Sequence, residues 1–100
     1  MRIIAVGNLK GFYELHPDAE TGIKIWVKKT KNAVWEKPDD IKQTFVNARL
    51  IGSGRVIFNI NKNEHRLIVK VEYRLGIVFV CFIGTHEEYD DIDPLTVEKF

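Results

Sequence analysis

After Thr44 the hydrophobic period of the chain changes from that of a helix to that of a strand, and this change constrains the fold more than any other feature. Before it, Ile23, Trp26, Val27, Thr30 and Val34 recur at the spacing of one amphipathic helical face, with Asp18 or Thr21 as the candidate cap. Lys24, Lys28, Lys29 and Lys31 fall largely on the opposite side, as a solvated face would have them. After it, Ala48 to Ile51, Arg55 to Ile60, His65 to Tyr73 and Ile77 to Ile83 read as strands separated by the turn-forming stretches GSG, NKNE and RLG. Connections this short make consecutive strands antiparallel neighbours. The expected class is therefore α+β, with N-terminal helices packed on one face of a mainly antiparallel four- to five-stranded sheet.

The remaining segments fit that plan. Met1 to Val6 is a short apolar first strand, and Leu9 to Leu15 a short helix that ends before Pro17. His16, the residue before the proline, is a helix-end histidine. Pro38 opens a further helix over Asp39 to Thr44. Trp26 and Trp35 are assigned to the core. With 100 residues and 45% hydrophobic content, the chain can bury one modest core, so residues 1–100 are expected to form a single domain.

Cys81, the only cysteine, lies within VFVCFIG, where a thiol acts as a small apolar group and no internal disulfide is possible. The N-terminal MRIIAVGNLK lacks the apolar stretch of a signal peptide, and Ile77 to Ile83 is too short to span a bilayer. A cytoplasmic setting with no membrane partner is expected. The net charge is only +1, but Glu87, Glu88, Asp90, Asp91 and Asp93 take five of the fourteen acids. Fifteen basic side chains elsewhere then face nine acids, and a basic body is a modest pointer to a polyanionic partner.

Alternation gives the strand His65 to Tyr73 one apolar face and one face bearing Arg66, Ile68, Lys70 and Glu72, with Arg74 following. Arg55, Ile57 and Asn59 alternate against Val56, Phe58 and Ile60 in the same way. Polar outer faces are ordinary in antiparallel sheets, which is sufficient explanation for Lys70, Arg74 and Lys62. Arg55 and Arg66 stand near strand starts, where a hairpin partner brings them toward one patch. Guanidinium groups on a rigid sheet match phosphate geometry.

If Ile77 to Ile83 returns antiparallel beside His65 to Tyr73, the stretch GTHEEYD comes back next to Arg66. An arginine, His86 and Tyr89 at one end of a basic sheet face are the groups that metal-free RNA cleavage needs. A 2′-hydroxyl must lose a proton, a phosphorane must be stabilised, and a 5′-oxygen must gain a proton. Structural roles compete with this reading. His86 could cap the strand end, Tyr89 could plug the core edge, and the acids could open a helix. No second histidine or cysteine stands at ligand spacing near those acids, so no metal or other cofactor is expected there.

RVIFNINKNEHRLIVKVEYRLGIVFVCFIGTHEEYDDID resembles the C-terminal half of HigB-family toxins of bacterial type II toxin–antitoxin systems, relatives of the RelE-like ribonucleases. The matching positions are Arg55, Phe58, Asn59, the Asn63-to-Leu67 stretch NEHRL, and Gly84-Thr85-His86 through Tyr89-Asp90. The first half agrees in LHPDAE, the Trp-bearing helix and KPDDIKQTF. The resemblance implies a RelE-like fold and endonucleolytic cleavage of mRNA, usually on the translating ribosome. It also implies neutralisation by a helix-turn-helix antitoxin of the HigA type. Arg66, His86 and Tyr89 are the implied catalytic residues, with Arg55, Asn59, Lys70 and Arg74 on the RNA-binding face. The competing expectation is a module of the same fold that binds RNA or a partner without cutting.

Overall fold

A computed structural model describes residues 1–62 and 64–100. The elements run β1 (Arg2–Ile4), α1 (Val6–Leu15), a 3-10 turn (Pro17–Ala19), α2 (Glu20–Asn32), α3 (Pro38–Thr44), β2 (Arg49–Gly52), β3 (Arg55–Ile60), β4 (His65–Glu72), β5 (Ile77–Thr85) and α4 (His86–Asp90). The five strands form one sheet in the order β1-β5-β4-β3-β2. Strands β2 to β5 are the antiparallel meander that the turn spacing requires, and β1 adds to β5 in parallel. Asn63, in the β3–β4 connection and in the NEHRL stretch, lies outside the described residues.

The alternation places His65, Leu67, Val69 and Val71 on the face that receives the helices. There Ile23 and Trp26 of α2, Leu9 and Phe12 of α1, Trp35 and Ile41 join Val56, Phe58, Val78 and Ile83 in the principal core. Leu67 is fully enclosed at its centre, with 0% exposure. Leu67→Ala is expected to cost about 2–5 kcal/mol, from lost transfer energy and from the cavity left behind. Equilibrium denaturation of the two proteins with unchanged m-value measures it. A loss below about 1 kcal/mol would show that the centre of the sheet collapses freely around the gap.

Three local details differ from expectation. The Pro17–Ala19 turn feeds straight into α2, whose N-cap is Ala19 without a side-chain cap among the described residues. The Asp18 carboxylate, expected to cap, is turned instead to His65 and Asn61. Val34 lies beyond the end of α2 and is 77% exposed, because the helix closes at Asn32 before the amphipathic spacing does.

The third difference concerns the far face of the sheet, which expectation left open. A register shift between Ile68 and Val69 leaves Cys81 without an opposite residue, and Cys81 and Phe82 join Ile57 and Ile68 in a second apolar cluster on that face. Tyr89, Ile92 and Val97 pack over it. The segment after α4 thus straps the outer face, fastened by Lys99 N–H to the Cys81 carbonyl at 2.8 Å. Burial pushes the Cys81 thiol pKa up, so the group remains a thiol.

Candidate active site

The hairpin register sets the site. Arg66 stands opposite Gly84 on β5 and Asn59 on β3, so the three positions share the far face at one pole of the sheet. Arg66 is half-buried, and its guanidinium lies over the Tyr89 ring at 5.5 Å, with Nη1 3.4 Å from the His65 carbonyl. The aromatic face holds the cation in place.

The strand-to-helix junction that carries His86 and Tyr89 is built by GTHEEYD itself. Thr85 Oγ1 accepts from Glu88 N–H at 3.2 Å, and the Glu88 carboxylate accepts from Thr85 N–H at 2.9 Å. This reciprocal capping box starts α4 at His86. That bond to Thr85 is the main reason the Glu88 carboxyl sits below its ordinary pKa, with smaller pulls from Lys99 and His16. Gly84 permits the turn-back, since a Cβ there would lie 2.5 Å from Phe82 Cζ and 3.2 Å from Glu88 Cβ. The chain is then pinned by His86 N–H donating to the Glu64 carbonyl at 3.0 Å.

His86 and Tyr89 are three residues apart on one helical turn and so lie on adjoining surface. Tyr89 leans onto the second cluster and carries Arg66. His86 is 55% exposed, its Nδ1 3.3 Å from the Asp90 carboxylate. It borders a cleft of about 450 Å³ with Glu64, His65, Thr85 and Glu87. An exposed imidazole backed by a carboxylate can move a proton, and a guanidinium braced on an aromatic ring can meet a developing phosphoryl charge.

The other expected RNA contacts divide. Asn59 and Lys70 are exposed on the far face and Arg74 is exposed in the β4–β5 turn, with Lys70 also 3.8 Å from Glu72. Arg55 is placed differently from expectation. It is only 6% exposed, and its guanidinium donates to the carbonyls of Pro94 at 3.1 Å and Val97 at 2.8 Å, with Glu98 at 3.5 Å. Its donors hold the C-terminal segment and are turned away from any phosphate on the open part of the face.

Sequence reasoning missed two groups at this pole. Lys99 reaches the Ile83 carbonyl at 3.4 Å and the Phe82 ring at 5.7 Å, bringing a further cation close to Glu88. His65, at the start of β4, is buried and bonded through Nε2 to Asp18 at 3.0 Å. That bond is the main cause of the lowered Asp18 pKa. Neither has a local sequence signal, because each depends on partners far along the chain. The Thr85-x-x-Glu88 capping box was readable as a helix start.

A family model described as HigB_toxin, RelE-like toxic component of a toxin–antitoxin system, matches residues 19–92. The chain belongs to this family. The HigB_toxin match spans the α2-to-α4 body, including Arg66, His86 and Tyr89, and the α+β arrangement is a RelE-like fold. Membership makes the protein the toxin of a toxin–antitoxin system and implies an antitoxin partner and an RNA target. No curated protein matches the chain significantly. No helix among the described residues is long and apolar enough to cross a membrane.

Proposed function

We propose that this single-domain HigB-type toxin is a metal-independent endoribonuclease that cuts mRNA, acts in the cytoplasm on the translating ribosome, and is silenced by a helix-turn-helix antitoxin of the HigA type. The observation that carries the reading is the Arg66 guanidinium braced at 5.5 Å on the ring of Tyr89, a residue that stands one turn of α4 after the exposed His86. In the reaction a 2′-oxygen forms a bond to the adjacent phosphorus while the bond from phosphorus to the 5′-oxygen breaks. The proton leaving the 2′-hydroxyl and the proton reaching the 5′-oxygen are handled by His86 and by solvent or a second group. Arg66 stabilises the charge gathering on the phosphoryl oxygens. Tyr89 holds Arg66 and offers a ring to a neighbouring base, and Asn59, Lys70 and Arg74 extend the contact along the strand.

No step of this scheme needs a metal ion, so cleavage of translated mRNA is expected to persist in EDTA wherever the substrate tolerates loss of magnesium. Abolition of cutting by the chelator, with restoration by a divalent ion, would place the nucleophile on a metal-bound water instead. A module of this fold that binds RNA without cutting is the remaining reading. It predicts arrested translation with intact message.

A further inference from the structure

A second group of polar side chains lies on the helix side of the same pole, and two of its members, Glu64 and His65, line the cleft that His86 borders. Asp18 comes from the Pro17–Ala19 turn, Glu64 from the β3–β4 connection, and His65 from the first position of β4. One ligand atom from each lies within 4.8 Å of the other two. His65 Nε2 is already 3.0 Å from Asp18 Oδ2. Asn61 Nδ2 bridges the two acids, donating to Asp18 Oδ2 at 3.1 Å and Glu64 Oε2 at 3.3 Å.

The imidazole makes this more than a patch of surface acids. His65 is 4% exposed, yet its Nε2 points out of the core into the carboxylates. Its ring is fixed edge-on against Phe12 at 5.3 Å and beside His16 at 5.7 Å. Asp18 and Glu64 are exposed, which leaves the mouth open to an entering ion. A buried nitrogen donor behind two exposed carboxylates is an uneven charge set, and the group that bridges the acids, the Asn61 carboxamide, is neutral.

We propose that Asp18, Glu64 and His65 bind a divalent transition-metal ion of the zinc class. One imidazole nitrogen with two carboxylate oxygens favours zinc over magnesium or calcium, which prefer oxygen alone. Tetrahedral zinc holds its ligand atoms about 3.3 Å apart, given metal–ligand distances of about 2.0–2.1 Å. The Asp18–His65 pair has closed to that spacing, so only the exposed Glu64 side chain must draw in. The ion replaces the proton shared by Asp18 and His65, and water completes the set. Bound there, it ties the α1–α2 junction to the strand that carries Arg66 and to Thr85, which faces His65 on β5. The site is independent of the cleavage reading, and nothing in the cleavage scheme passes through it.

The test uses the full chain stripped of metal by chelation and titrated with zinc, followed by calorimetry and by imidazole nitrogen resonances. The expected result is one ion per chain, a raised melting temperature, and a zinc-dependent shift of His65 Nε2. Magnesium at the same concentration should produce none of these. Asp18→Asn and Glu64→Gln, both at exposed positions and checked for native circular dichroism, should each weaken binding at least about tenfold, as loss of a supporting or direct ligand does. The proposal is overturned if the parent takes up no zinc, if both variants bind as the parent does, or if zinc perturbs His86 or His16 and leaves His65 unshifted.

Discussion

His86→Gln is expected to lower single-turnover cleavage of translated mRNA about a hundredfold to ten-thousandfold, the usual worth of a positioned general acid or base. Glutamine keeps much of the hydrogen-bonding shape beside Asp90, so a loss of that size reports the missing proton transfer and not a missing contact. The comparison requires folded protein that still binds the antitoxin. A folded His86→Gln protein with the parental rate would leave His86 as an exposed residue of a capped helix and move the proton to another group.

Arg66→Ala should cost about 2.7–4 kcal/mol of transition-state stabilisation, or roughly a hundredfold to a thousandfold in rate, if its fork meets the developing phosphoryl charge. Arg66 is half-buried against Tyr89, so the comparison is made on variant protein shown to be folded by native circular dichroism. Lysine should rescue poorly, because a single ammonium cannot reproduce the planar fork or its seating on the Tyr89 ring. Tyr89→Phe keeps that ring and should cost less than either change. Parental cleavage by a folded Arg66→Ala protein would show that Arg66 plays no part in the chemistry.

The contrast between Arg66 and Arg55 shows how far the sequence could be read. Both occupy far-face positions at a strand start, and period-2 alternation treats them alike. What separates them is the segment after α4. It crosses the sheet and places the Pro94 and Val97 carbonyls over Arg55, while Tyr89 arrives beside Arg66. Ile92 and Val97 are too isolated in sequence to signal a strap, and only the far-face cluster around Ile68 and Phe82 gives them something to cover.

The meander itself was legible because short polar turns between alternating runs leave few other topologies. The approach of Gly84 to Arg66 followed from that register alone. The helix at His86 was one of the alternatives open in the sequence, and the Thr85–Glu88 capping box decides it. The Asp18–His65 contact was not legible. It joins residues 47 apart, and the carboxylate that local rules assign to capping α2 is drawn off by a tertiary partner.

RNA cleavage is proposed for the pole that holds Arg66, His86 and Tyr89. Mapping RNA 5′ ends after brief expression tests it most directly, with the chemistry of each new end determined and the Arg66→Ala and His86→Gln proteins run in parallel. New ends within translated messages, bearing 5′-hydroxyl groups and absent with either folded variant, are the predicted result. Arrested translation without new ends would show a toxin that binds without cutting, and 5′-phosphate ends would rule out the side-chain mechanism.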